Sequence, residues 1–228
     1  MFDREDSSAN TLNAAVLEEF DKVLTELESQ RPAGLVIRSA KKSGFIAGAD
    51  VNEFRGATDP AVVEATISRA HAVIDRLEAL RVPSVAVIHG FCLGGGLEVA
   101  LACQSRIAIS NARFGFPEVM LGLHPGLGGT ARFTRLVNPM QAMTLMLTGR
   151  TIDARRAKGL GPVLSATELL KRNELTLSDI ETWELNEAFA TQVLGCLAAW
   201  NDEKFCREIL GLDGAAGEID REIGRAHV

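Results

Sequence analysis

The sequence predicts an α/β fold, and three observations support this prediction. First, residues 13 to about 30 place apolar side chains at the spacing of one helical face, with acidic residues between them. Second, residues 34–39 and 84–89 are short, β-branched and apolar, which is typical of buried strands. Third, Asp59-Pro60 opens another helix between these two strands. Strands that alternate with helices indicate an α/β architecture.

The two long helices have recognisable boundaries. The first ends at Arg31-Pro32, because the residue before a proline disfavours helical geometry. The second begins at Asp59, whose carboxylate caps the free amides of the first turn, and it runs to about Leu80. The apolar face of the first helix is formed by Val16, Phe20, Val23, Leu24 and Leu27.

The centre of the chain contains a glycine-rich segment, residues 90–96, which we interpret as a turn. It follows the strand at residues 84–89 and leads into a short helix at residues 97–103. Beyond it, two strands and two helix starts are predicted at residues 106–109, residues 113–116, Asn138-Pro139 and Asp153.

Composition restricts the classes of function. The 228 residues carry a net charge of −6, whereas a general nucleic-acid binder is usually basic. None of the four cysteines forms a C-x-x-C pair, which favours buried free thiols in a reducing compartment. The N-terminal segment lacks the apolar core of a signal peptide, and no apolar run reaches the roughly 20 residues of a membrane span. We therefore expect a cytoplasmic protein.

Gly94, Gly95 and Gly96 lie between a strand and a helix, and two structural interpretations remain open. The segment lacks the Lys-Ser/Thr of a phosphate loop and the G-x-G-x-x-G spacing of a dinucleotide site. One interpretation is a tight turn that lets helix and strand pack closely. The other is an oxyanion hole, because amides at a helix N-terminus are unpaired and glycine allows a ligand to approach them.

Two glutamates have apolar neighbours on both sides. Glu98 lies in the first turn of the short helix, and Glu118 follows Pro117. A desolvated carboxyl group has a raised pKa, and two such groups can divide the roles of acid and base. The alternative interpretation is that Glu98 only favours the helix N-terminus and Glu118 is a surface acid.

The segment HGFCLGGGLEVALACQSRIAISNARFGFPEVMLGLHPGLGGTARFTRLV at residues 89–137 closely resembles the signature of the crotonase (enoyl-CoA hydratase/isomerase) family. Residues 10–13 and the segment FIAGADVNEF resemble the entry to the family's first helix and its first oxyanion loop. The resemblance covers about residues 2–160 and is greatest to the hydratase part of bacterial multifunctional fatty-acid oxidation proteins. It implies a crotonase-type ββα superhelix in residues 1–160.

The resemblance also implies the roles of individual residues. The amides of Ala49 and Gly95 would form the oxyanion hole for an acyl-CoA thioester. Glu98 and Glu118 match the two glutamates that hold the water in hydratases. The backbone carbonyls expected to contact the adenine of coenzyme A belong to Ala47, Gly48 and Ala49.

These roles imply hydration of trans-2-enoyl-CoA in fatty-acid β-oxidation. Two alternatives remain open: Δ3-Δ2 enoyl-CoA isomerisation at the same site, and an inactive hybrid that at most binds acyl-CoA. The coenzyme A thioester is the expected substrate, and no metal or other cofactor is expected. The partners we expect are further copies of the chain or other β-oxidation subunits.

The C-terminal part, residues 161–228, resembles a different family. Over about residues 161–222 it resembles an internal segment of thiolases, including the N-E-A-F motif that begins at Asn186. Neither Cys196 nor Cys206 lies in a thiolase nucleophile motif, so no thiolase activity is expected. We therefore expect a C-terminally truncated crotonase core with a small thiolase-derived αβ appendage.

Overall fold

The computed structural model describes residues 1–5, 7–54, 59–163 and 203–208. The chain divides into two compact units, Met1–Leu164 and Ser165–Val228. Most of the predicted thiolase-like segment, including Asn186 and Cys196, lies outside the described residues. In the second unit the structure describes one helix, α7, at Glu203–Glu208.

The first unit alternates helices and strands, as the sequence predicts. The helices are α1 (Ala14–Gln30), α2 (Pro60–Ala79), α3 (Gly95–Ala102), α4 (Gly129–Leu136), α5 (Pro139–Thr148) and α6 (Ala154–Leu160). The strands are β1 (Leu35–Ile37), β2 (Gly44–Ile46), β3 (Ser84–Ile88), β4 (Phe91–Leu93), β5 (Ser105–Ala108), β6 (Arg113–Gly115) and β7 (Thr151–Asp153). Two 3-10 helices occupy Val51–Phe54 and Pro117–Leu121.

The strands form two sheets. In the first, of order β1-β3-β5, all described pairs are parallel, and Leu35 pairs with Ser84. The second has the order β2-β4-β6-β7, in which only β7 is antiparallel to its neighbour. The α/β architecture predicted from the sequence is therefore confirmed.

Side chains cap the helices where the sequence predicts a helix start. The carboxamide of Asn13 accepts a 2.9 Å hydrogen bond from the amide of Val16, and Asp59 accepts one from Ala61. Asn138 and Asp153 cap α5 and α6 in the same way. Each cap satisfies an amide that has no partner inside its helix.

The structure corrects the prediction for the glycine-rich segment. Phe91–Leu93 is strand β4 rather than part of a turn, and helix α3 begins at Gly95 instead of residue 97. Every residue of α3 is buried, and α3 packs against α2 and α4. Helix α4 was not predicted, because Gly128 and Gly129 at its start lack the side-chain cap that marks the other helices.

A buried arginine stabilises the far end of α3. The Nη1 atom of Arg106 donates a 2.6 Å hydrogen bond to the carbonyl of Cys103, and its Nε atom donates one of the same length to Pro162. A cation at a helix C-terminus interacts favourably with the helix dipole. The C-terminal end of α3 is thus fixed in the core.

The largest buried side chains of the first unit join α1, α2 and both sheets, and they include Leu24, Phe45, Ile74, Leu77, Ile88 and Phe116. Cys92 and Cys103 are buried free thiols, as predicted, and Cys206 in the second unit is also buried. Burial raises the pKa of Cys103 to about 12 and that of Cys92 further. Neither of these two thiols is activated as a nucleophile.

Candidate active site

The turn between β4 and α3 contains three glycines, and each is glycine for a different structural reason. Gly94 has φ 50° and ψ −127°, a backbone conformation that residues other than glycine rarely adopt. A Cβ atom on Gly96 would lie 2.3 Å from the carbonyl oxygen of Ile46, so Gly96 allows α3 to pack directly on β2. The interpretation as a tight packing turn is therefore correct for Gly96, while Gly95 remains available for a different role.

The amides of Ala49 and Gly95 lie close together. Parallel pairing with Leu12 uses the carbonyl of Gly48 and the amide of Asp50, and it leaves the amide of Ala49 without an acceptor among the described residues. The amide of Gly95, at the start of α3, likewise donates to none of these residues. A Cβ atom on Gly95 would lie 3.8 Å from the nitrogen of Ala49. Two unpaired N–H donors thus share one place at the helix N-terminus, where the helix dipole favours negative charge.

Glu98 is buried and held by two backbone amides. Its side chain is only 1% exposed. Its Oε1 atom accepts hydrogen bonds of 2.8 Å from Leu127 and 2.7 Å from Gly129. Burial raises the pKa of Glu98, while these two amides and the charges of Arg132 and His71 act in the opposite direction. The hydrogen bonds therefore favour the ionised form of a carboxyl group that burial alone would keep protonated.

Glu118 has fewer stabilising partners. It lies half-buried in the 3-10 helix Pro117–Leu121, and its buried Oε2 atom accepts no hydrogen bond from the described residues. Burial is the largest cause that raises the pKa of Glu118, to about 7; its own backbone amide lowers this pKa, the charge of Glu98 adds a smaller rise, and His124 lowers it least. Glu118 is therefore able to hold a proton near neutral pH.

The two carboxyl groups and the two amides surround the N-terminus of α3. A Cβ atom on Gly94 would lie 2.8 Å from Oε1 of Glu118, which places this carboxyl group against the turn that carries the Gly95 amide. On the other side, the Cδ1 atom of Leu127 lies 3.6 Å from the position of a Cβ atom on Gly95. Leu127 is also one of the two residues whose amides hold Glu98. The arrangement therefore places two unpaired backbone amides beside two carboxyl groups whose pKa values burial raises.

The remaining predicted residues belong to the loop after β2. The amide of Ala47 donates to the carbonyl of Asn10 at 2.8 Å, and the carbonyl of Gly48 accepts from Leu12 at 2.9 Å. Asp50 pairs with Arg4 at 2.8 Å, and this pairing lowers the pKa of Asp50. These contacts fix the backbone of the loop that carries the Ala49 amide.

Sequence reasoning missed the loop at residues 127–129 and Arg132. Gly128 and Gly129 stand at the start of α4, as Gly94 and Gly95 stand at the start of α3. That repeated pattern of glycines at the start of a helix is the signal that indicates a second contact with the site. Gly129 donates its amide to Glu98, which lies 31 positions earlier in the chain, and sequence spacing does not predict such a pair.

The family model described as "Enoyl-CoA hydratase/isomerase" matches residues 2–187. The chain belongs to the enoyl-CoA hydratase/isomerase family. The match continues beyond residue 160 into the segment where we predicted a resemblance to thiolases, and that resemblance remains a prediction. Among the described residues, no helix is long and apolar enough to cross a membrane.

The similar proteins carry names from fatty-acid oxidation or enoyl-CoA hydration. The fatty acid oxidation complex subunit alpha of Shewanella sp. (strain W3-18-1) is 44% identical over 157 residues, and that of Vibrio cholerae is 46% identical over 158 residues. Each of these alignments covers 68% of this chain and 22% of the relative, so the chain spans less than a quarter of their length. The crystal structure of an enoyl-CoA hydratase from Bacillus anthracis has 36% identity and a TM-score of 0.65, and covers 75% of this chain and 67% of that one. The first unit therefore has the crotonase fold.

Proposed function

We propose that the first unit hydrates trans-2-enoyl-CoA to 3-hydroxyacyl-CoA. The main observation in support is that Glu98 and Glu118 lie at the same pair of unpaired amides but in different environments. Two amides stabilise the charge of Glu98, whereas Oε2 of Glu118 has no such partner among the described residues. One carboxyl group is therefore suited to act as a base and the other as an acid.

In the proposed mechanism, the amides of Ala49 and Gly95 bind the thioester oxygen and polarise the conjugated double bond. Glu98 takes a proton from a water molecule, which attacks the β-carbon. Negative charge moves to the thioester oxygen as the enolate forms, and the two amides stabilise it there. Glu118 then protonates the α-carbon. The backbone carbonyls of Ala47, Gly48 and Ala49 are proposed to contact the adenine of coenzyme A.

Hydration is favoured over Δ3-Δ2 isomerisation because both carboxyl groups lie at the site. Isomerisation moves one proton between two carbons, and a single carboxylate is sufficient for it. The names of the relatives support a role in fatty-acid oxidation. We further propose a cytoplasmic location, association with further copies or with other β-oxidation subunits, and a thiolase-derived appendage without thiolase activity at residues 161–228.

The test is to follow the conjugated absorbance of crotonyl-CoA after addition of the purified chain. We expect the absorbance to fall, and to fall at least about a hundredfold more slowly for Glu98→Gln, which cannot accept the proton. Glu64→Gln, an exposed acid on α2, is the control and is expected to match the unsubstituted chain. The proposal fails if the unsubstituted chain leaves the absorbance unchanged, or if Glu98→Gln hydrates at the normal rate.

A further inference from the structure

Leu127 links Glu98 to a second buried charged residue. Its amide donates to Oε1 of Glu98 at 2.8 Å, while its carbonyl accepts a 2.6 Å hydrogen bond from Nη1 of Arg132. One peptide segment is therefore held on one side by the proposed base and on the other by a guanidinium group. Arg132 is only 6% exposed, so its hydrogen bonds form away from bulk water.

The same guanidinium group joins this loop to α2. Its Nη2 atom donates to Asp75 at 2.6 Å and to Glu78 at 2.8 Å, and its Nε atom donates to Glu78 at 3.0 Å. The planar guanidinium thus uses three nitrogens in three directions, which the single nitrogen of a lysine cannot do. The side chains of Asp75 and Glu78 are about half exposed, so solvent weakens their electrostatic attraction to Arg132. Their main effect is therefore to fix the orientation of the guanidinium group.

Glycines allow this close packing. Gly128 has φ 91°, and a Cβ atom on it would lie 2.2 Å from Nη1 of Arg132 and 3.3 Å from Nε2 of His71. A Cβ atom on Gly129 would lie 2.9 Å from Oε1 of Glu98. The loop therefore passes between Arg132 and Glu98 with no room for side chains at either glycine.

We propose that Arg132 is a positioning residue for the hydration reaction. Arg132 is itself held by Asp75 and Glu78, and it binds the carbonyl of Leu127. In this way it directs the amides of Leu127 and Gly129 toward Oε1 of Glu98. Oε2 of Glu98 is thereby left to orient the water. This inference rests on the proposed function for its effect on rate, but the positioning itself is a property of the fold. Misplacement of a reacting group by about 1 Å costs about a hundredfold in rate.

A purely electrostatic role predicts a different outcome. The charges that face Glu98 belong to Arg132 on α4, His71 on α2 and Glu118 on the 3-10 helix. If the charge of Arg132 alone mattered, Arg132→Lys would behave like the unsubstituted chain. If the three-way hydrogen bonding matters, Arg132→Lys keeps the charge but loses the rate.

The experiment measures kcat and KM for crotonyl-CoA hydration across pH for Arg132→Lys, Arg132→Gln and the control Arg135→Gln, an exposed arginine on the same helix. We expect kcat to fall about tenfold to a hundredfold in both Arg132 variants, with KM within about threefold and Arg135→Gln unchanged. The acidic limb of the kcat profile should move to higher pH in Arg132→Gln only, because that variant removes a charge that lowers the pKa of Glu98. Normal kcat in Arg132→Lys overturns the proposal.

Two further measurements separate the possible failures. The double variant Asp75→Asn, Glu78→Gln removes the partly exposed partners and leaves Arg132 in place, so it tests the same link if the Arg132 variants do not fold. We expect this double variant to lower kcat, as the Arg132 variants do. The amide proton resonances of Leu127 and Gly129 report the hydrogen bonds without any catalysis, and we expect both to move in Arg132→Lys. If they move but the unsubstituted chain is inactive, the proposed function fails and the positioning stands; if they stay in place, the positioning fails.

Discussion

The amide of Gly129 donates a 2.7 Å hydrogen bond to Oε1 of Glu98, so the start of one helix holds a carboxylate of another. Both helices begin at glycines, and both N-termini approach the candidate site. Glycine is required at residue 129 because a Cβ atom there would lie 2.8 Å from Cγ of Glu98 and equally close to Phe116. This close approach makes Gly129 a sensitive place to test the geometry of the site.

Gly129→Ala should displace Glu98 without changing any charge. We expect kcat for hydration to fall about tenfold or more, and overpacking to destabilise the fold by about 1 to 3 kcal/mol. Steady-state kinetics and urea unfolding measure the two effects. Gly126→Ala is the matched control, because a Cβ atom at residue 126 meets no described atom within 4 Å. Equal kinetics for the two variants would show that the position of Glu98 does not govern the rate.

Substitutions at Gly95 should give a graded loss of activity. A Cβ atom there would lie 3.1 Å from Cδ1 of Leu12 and 3.8 Å from the amide nitrogen of Ala49. Alanine therefore requires a small adjustment, whereas the branched side chain of valine enters the space in front of the two amides. We expect Gly95→Val to lose hydration while its circular dichroism stays close to that of the unsubstituted chain, with Gly95→Ala in between. Normal turnover by Gly95→Val would remove the Gly95 amide from the mechanism.

The sequence predicts the fold well where local rules determine it. The caps at Asn13, Asp59, Asn138 and Asp153 lie where their residue types and the following prolines or apolar faces place them. Strand β4 was missed because it has only three residues between glycines, and parallel pairing with β2 and β6, which are distant in the chain, stabilises it. Periodicity over three residues cannot reveal such a strand.

The candidate site was only partly predictable for the same reason. The family resemblance indicated Glu98, Glu118 and the two amides, but the contacts that distinguish the two carboxyl groups come from elsewhere in the chain. The amide donors of Glu98 lie beyond β6, and their loop is held by Arg132. Burial raises the pKa of both glutamates, and long-range amide hydrogen bonds oppose this rise at Glu98. Neither effect is visible in sequence spacing.

The raised pKa of Glu118 should make stability depend on pH. Because the folded-state pKa of about 7 exceeds the ordinary value of 4.5, folding favours the protonated form. The stabilisation is complete below the unfolded-state pKa and is lost as pH rises through about 7. Glu118→Gln, which stays neutral, should therefore become more stable than the unsubstituted chain between pH 5 and pH 8, by about 1 to 2 kcal/mol after solvent screening.

Urea unfolding at several pH values measures this difference. The exposed Glu64→Gln serves as the control, and we expect its stability difference from the unsubstituted chain to stay constant with pH. A pH-independent difference for Glu118→Gln would mean that its carboxyl group titrates normally. Glu118 would then be a poor proton donor at neutral pH.

The two glutamates should act as one unit in hydration. Glutamine keeps the shape of each side chain but exchanges no proton, and acid–base groups contribute about 10²- to 10⁴-fold each. Glu98→Gln and Glu118→Gln should each slow crotonyl-CoA hydration at least about a hundredfold, and the double variant should be little slower than the slower single variant. Independent contributions would instead multiply.

Assays of 3-enoyl-CoA isomerisation with the same proteins distinguish the chemistries, because one carboxylate is enough to move a proton between two carbons. If isomerisation survives one substitution that abolishes hydration, the site supports both reactions; if hydration survives both substitutions, neither glutamate is catalytic.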